Sequence, residues 1–127
     1  MFDFRTDLAD ERRDIYRKAN KLEEEISGIE AEDYIENENV KVSKVKIVNE
    51  EGERALGKPI GTYITIDIKD LKIAHDDEII KASEVVSKEL KELINKHVKA
   101  DEDILVVGLG NREITPDALR FKSSFRN

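Results

Sequence analysis

An α/β fold with a mixed sheet and flanking helices is what the sequence predicts, and three observations carry it. Helix-type and strand-type hydrophobic patterns alternate along the chain. Two strand patterns, Val40 to Val48 and Pro59 to Ile68, are dense in Val, Ile and Thr. A continuous apolar run, Ile104 to Val107, follows a long helical pattern and leads into a glycine-bearing turn. Such a run is expected of a central strand covered on both faces of a layered sheet.

Taken in order, residues 1–8 read as extended. Asp10 to Glu25 reads as a helix, with Ile15, Ala19, Leu22 and Ile26 on one stripe and Ser27-Gly28 ending it. Ile29 to Asn37 carries a weak apolar–acidic alternation, and Asn37 to Asn39 a turn. In the strand from Val40, Val42 shares a phase with Val40, while Val45 and Ile47 share the other. A slip near Ser43-Lys44 is the phase change of a β-bulge. Lys41, Lys44 and Lys46 on this strand are expected to protect a sheet edge.

Glu51 to Leu56 is a short helical turn closed by Gly57. Pro59 opens the next strand, with Ile60, Thr62, Ile64, Ile66 and Ile68 facing one way. Asp76 or Asp77 is expected to cap a long helix whose stripe is Ile79, Val86, Leu90, Leu93 and Ile94.

Composition narrows the function. The chain has 127 residues, 39% of them hydrophobic and 40% charged, with a net charge of −7. An acidic chain of this kind disfavours nucleic acid or an anionic membrane as its main partner. It has no cysteine, hence no disulfide, thiolate nucleophile or cysteine metal site. His75 and His97 stand too far apart in sequence to suggest a metal site, and no cofactor is expected. No apolar stretch approaches the roughly 20 residues of a membrane helix. The N-terminus lacks a signal-peptide pattern, so the expected location is the cytoplasm.

Chemistry concentrates in Asp103 to Leu119. Gly108-Leu109-Gly110-Asn111 follows the apolar run, and glycines there let backbone approach a ligand or another loop. A dinucleotide fingerprint is incomplete, because Glu113 holds the place of its third glycine. A nucleotide-binding module is therefore the weakest reading. Thr115 suits an N-cap and Pro116 a first helical position. Asp117 would then sit among free backbone N–H groups. From the residues alone, Asp117 is either a helix-start acid or a catalytic carboxylate at the C-terminal edge of a strand.

Three stretches stand out: Arg5-Thr6-Asp7-Leu8-Ala9, the segment from Val42 to Ile66 with VNEEGERALGKPIGTYITI, and LVVGLGNREITPDAL from Leu105 to Leu119. Together they resemble the germination proteases, the spore endopeptidases of endospore-forming bacteria. The resemblance implies a three-layer α/β fold like that of the hydrogenase maturation proteases, assembly as tetramers, and location in the forespore or spore core. It implies small acid-soluble spore proteins as substrates, degraded during germination. It also implies synthesis as a zymogen that removes a prosegment. Asp117 matches one of the family's two catalytic aspartates. Gly108, Gly110, Asn111, Thr115 and Pro116 fall in the loop around it. The Asp7–Leu8 bond matches the family's processing site.

By the same resemblance, residues 1–7 are prosegment-like, residues 8–119 are the N-terminal part of one peptidase domain, and residues 120–127 diverge. The family's Gly-Pro after this motif is replaced by Arg120-Phe121. The second aspartate and the later strands are not found in the sequence. An aspartic mechanism needs two carboxylates sharing a proton, so a truncated chain, inactive alone, is expected. The alternative is a non-catalytic interaction fragment pairing with a separate C-terminal part or with full-length subunits.

Overall fold

The computed structural model describes residue 4, residues 6–69 and residues 75–110. The chain divides into two compact units, residues 1–68 and 69–127. In the first, three antiparallel strands form a sheet in the order β1-β2-β3. They are β1 (Ile29–Asn37), β2 (Val40–Ile47) and β3 (Gly61–Ile68). Two helices, α1 (Ala9–Ala19) and α2 (Glu50–Leu56), belong to the same unit. α1 packs against α2, β2 and β3.

Helix α1 is shorter than its hydrophobic spacing suggests. Asn20 folds its side chain back to the Tyr16 carbonyl (2.9 Å). Lys21 then takes a left-handed conformation (φ 54°). Lys21 N–H reaches the Lys18 carbonyl (3.3 Å), and Leu22 N–H the Arg17 carbonyl (2.9 Å). This paired closure is a Schellman motif with lysine where glycine is usual. Helical spacing beyond Lys21 is therefore overruled by local geometry. Ile15 and Leu22 stay largely exposed, and Ile26 enters the core from the following loop.

β1 starts at a tight approach. Gly28 (φ 85°) accepts from Val48 N–H (2.9 Å). Its backbone lies directly against Gly52 in α2, and a Cβ on either glycine would collide with the other residue's backbone. Asn49 caps α2 by accepting from Gly52 N–H (3.2 Å). Gly57 (φ 65°) ends it, as expected from sequence.

β2 is the central strand, so its lysines do not guard an edge. They match charges across the sheet: Glu30 stands opposite Lys46, Glu32 opposite Lys44, and Asp67 opposite Lys41. The ladder runs unbroken through Ser43-Lys44, and the irregularity lies instead between Ile35 and Asn37, beside the turn. The change of phase in β2 has another cause. Both of its faces are buried, at different ends of the strand. Val45 and Ile47 join Ala9, Ile26, Ile29, Ala55 and Leu56 in the core. Val40 and Val42 are buried on the opposite face, in register with Ile68 and Ile66.

In the second unit, α3 spans Asp76–His97. His75, not an aspartate, holds the N-cap position, and its N–H donates to Glu78 (3.3 Å). Burial falls on Ala82, Val85 and Glu89, while Ile79, Val86 and Leu90 remain exposed. The buried face is turned about a quarter of a circle from the expected stripe, at roughly 100° per residue. Apolar spacing marks faces that could be buried; packing selects among them.

Residues 103–110 form no strand. Leu105, Val106 and Val107 are 88%, 71% and 67% exposed. An apolar run becomes a central strand only when neighbours supply a hydrogen-bond ladder, and none of the described residues pairs with it. All ladders among the described residues are antiparallel, so the parallel part of the expected mixed sheet is not formed by them.

Candidate functional site

Of the residues expected to carry chemistry, Asn111, Thr115, Pro116 and Asp117 lie outside the described residues. Gly108 and Gly110 are described, on the irregular 103–110 segment, with Gly108 half-buried and Gly110 exposed. Among the described residues no group of three His, Cys, Asp or Glu side chains could hold a metal ion. No helix among them is long and apolar enough to cross a membrane.

The Asp7–Leu8 bond is fully described, and its surroundings are built from α1. Leu8 is the N-cap of that helix, and its carbonyl accepts from Arg12 N–H (3.0 Å). Leu8 N–H donates to the Thr6 hydroxyl oxygen (3.2 Å). That hydroxyl in turn donates to Glu11 (2.6 Å). The peptide between Asp7 and Leu8 is thus bracketed by a threonine turn on one side and a helix start on the other. Ala9, the next residue, is buried in the core.

Arg12 ties this segment to the rest of the unit. Its Nε donates to the Thr6 carbonyl (2.6 Å). Nη2 reaches the Asp7 carboxylate (3.2 Å). Nη1 donates to the Leu56 carbonyl (2.9 Å) and the Gly57 carbonyl (3.2 Å), at the C-terminal end of α2. A cation is favoured there by the helix dipole. The guanidinium also stacks 5.0 Å from the Phe4 ring, and Phe4 packs against the core. The arginine side chain is 15% exposed, whereas the Asp7 side chain is 98% exposed.

A second arginine pair stabilises the outer side of α1. Arg13 Nε donates to the Glu25 carboxylate (2.6 and 3.0 Å). That hydrogen bond holds the Arg13 guanidinium above its ordinary pKa, with Glu25's charge adding to it against partial burial. Arg17 reaches the same carboxylate (3.9 Å) and the Glu23 carbonyl (2.9 Å). The loop after α1 is thereby folded back onto the helix.

Arg12 is not marked by any motif in the sequence. Its neighbours Glu11, Arg13 and Asp14 make the stretch look like a solvated helix face. The available signal was weak: Arg12 lies one helical turn after Leu8, on the side facing back over the preceding residues.

Comparison with known proteins places the chain. A family model described as germination protease matches residues 6–123. The germination protease of Clostridium perfringens is 44% identical over 119 residues, covering 94% of this chain and 35% of that protein. That of Caldanaerobacter subterraneus is 43% identical over 115 residues, covering 91% and 33%. That of Priestia megaterium is 38% identical over 124 residues, covering 94% and 33%. The chain therefore spans about a third of the length of the curated relatives it matches. With a match over nearly its whole length, this chain belongs to the germination protease family.

Proposed function

We propose that the chain contributes the N-terminal part of an endopeptidase that initiates degradation of small acid-soluble spore proteins during germination. The observation that carries this reading is the family match across residues 6–123, which includes both Asp7-Leu8 and Asp117. In this reading Asp117 is one of two catalytic carboxylates. One of the pair stays ionised to activate water, and the other donates a proton to the substrate carbonyl. Gly108, Gly110, Asn111, Thr115 and Pro116 shape the loop that holds Asp117. Residues 1–7 act as a prosegment released at Asp7–Leu8, residues 8–119 contribute to a single three-layer peptidase domain, and residues 120–127 are a divergent tail. The full-length enzyme works as a tetramer in the forespore or spore core.

The purified 127 residues, with one carboxylate of the pair, are expected to cleave weakly or not at all. The test is digestion of a small acid-soluble spore protein by this chain, alone and mixed with the remaining two-thirds of a family member. Cleavage in the mixture that is abolished by Asp117→Asn supports the role. Equal cleavage by the Asp117→Asn variant refutes it.

One observation favours a second reading, a non-catalytic fragment that pairs with a C-terminal part or with full-length subunits. Leu105, Val106, Val107 and Leu109 lie exposed, close together in sequence, on a segment that has no ladder among the described residues. Such a segment is a template for strand addition. Co-elution in size-exclusion chromatography, without restored cleavage, would select this reading.

A further inference from the structure

We propose that Arg12 is the positioning residue of the Asp7–Leu8 segment, a clamp that must release before that bond is cut. The inference rests on the reading of Asp7–Leu8 as a processing bond; the clamp itself follows from geometry. One guanidinium bonds two separate pieces of chain. Thr6 and Asp7 lie on one side, and Leu56 and Gly57 on the other. Phe4 covers its face.

The arrangement opposes cleavage in three ways. The carbonyl of Thr6, one residue before Asp7, is occupied by Arg12 Nε at 2.6 Å. The N–H of Leu8, which belongs to the scissile amide, is occupied by the Thr6 hydroxyl. Beyond the bond, Ala9 is buried at the start of α1. A protease engages backbone in extended form, through the same N–H and C=O groups. Cutting here therefore requires the segment to leave Arg12 and the first turn of α1 to unwind.

The chemistry itself is simple hydrolysis. Water adds across the amide between Asp7 and Leu8, and its C–N bond breaks. The hydroxyl goes to the Asp7 carbonyl carbon, giving a carboxyl group, and a proton goes to the Leu8 nitrogen, giving an amine. Arg12 touches neither the water nor the breaking bond. Its influence is on how often the bond becomes available. Lysine replaces it only in part, because a single ammonium lacks the planar fork that serves Thr6, Asp7 and the α2 carbonyls together.

The test uses the full 127-residue chain and an added glutamyl endopeptidase, which cuts after Asp and Glu. The products are identified by mass. Cutting after Asp7 reports release of the clamp. Cutting after Glu32, within the β1–β2 ladder and away from the Arg12 contacts, reports unfolding of the sheet. When opening is fast relative to cleavage, each rate follows the population of its open form. Arg12→Ala should raise the ratio of the first cut to the second by about tenfold, ~1.4 kcal/mol of opening free energy. Arg12→Lys should fall between Arg12→Ala and the unaltered chain. Thr6→Val frees the Leu8 N–H while leaving the α2 contacts intact, and should raise the ratio severalfold.

Ratios that stay constant across Arg12→Ala, Arg12→Lys and Thr6→Val overturn the clamp, including the case where both cuts rise together. The same variants are then given to a full-length germination protease. Faster cutting at Asp7–Leu8 in Arg12→Ala supports clamp and processing site together. A raised ratio with the added endopeptidase, but no cut at this bond by the germination protease in any variant, overturns the processing reading alone.

Discussion

At the scale of single residues, local geometry decides more than side-chain type. Lys21 sits at φ 54°, a region that costs a residue with a Cβ about 1 kcal/mol. It is held there by the two closing hydrogen bonds of α1. Lys21→Gly is therefore expected to raise stability by about 0.5–1 kcal/mol, read as a higher urea midpoint at unchanged slope. Tyr63 shows a different residue-scale effect. Its hydroxyl donates to the Pro59 carbonyl at 2.7 Å. Partial burial, with the nearby charge of Glu53 adding to it, raises its pKa above the ordinary value of 10.0. A raised folded-state value favours the neutral phenol. The stabilisation is complete below the unfolded value and is lost as pH rises through the folded one. Thermal melts from pH 9 to about 11 should show the unaltered protein losing stability faster than Tyr63→Phe, which has no proton to lose.

At the scale of elements, contacts between neighbours reverse expectations drawn from propensity. Gly52 lies inside α2, where alanine would ordinarily gain about 1 kcal/mol. Here a Cβ would run into the Gly28 carbonyl, which also accepts from Val48. Gly52→Ala should therefore destabilise, by about 1–3 kcal/mol as for other overpacked sites, and chemical denaturation checks the sign. The strand signals followed the opposite course. Ile29–Asn37, Val40–Ile47 and the 61–68 strand were legible because alternation, turn residues and β-branching are local properties. The face each strand buries was not, because it depends on partners. β2 lies between β1 and β3, so its two valine phases record two buried faces rather than a bulge.

At the scale of the whole molecule, the chain divides into two compact units, and the second carries the exposed run around Val106. The exposed run around Val106 contributes little to the stability of the chain as it stands. Val106→Lys should thus change the unfolding midpoint by no more than about 0.5 kcal/mol, the usual range for surface positions. If the run pairs with the remainder of a family member, the same substitution should abolish co-elution with it. Association that survives Val106→Lys would place the contact elsewhere. The candidate site was unequally legible at this scale. Asp7-Leu8 and Asp117 are candidates by motif alone, and Asp117 lies outside the described residues. Arg12, which joins Thr6–Asp7 to Leu56 and Gly57, 44 and 45 positions beyond the arginine itself, is not marked by motif.

Local sequence alone sets the order of helices and strands from α1 to α3, the Gly57 helix end and the family, because these depend on short-range chemistry and on motifs with fixed spacing. Tertiary structure decided which strand is central, which face of each helix is buried, and that Ile104–Val107 stands unpaired among the described residues. It also decided that one arginine holds the Asp7–Leu8 segment in place. Those outcomes require partners distant in sequence, and a linear pattern states only which residues could be buried or paired, not what meets them.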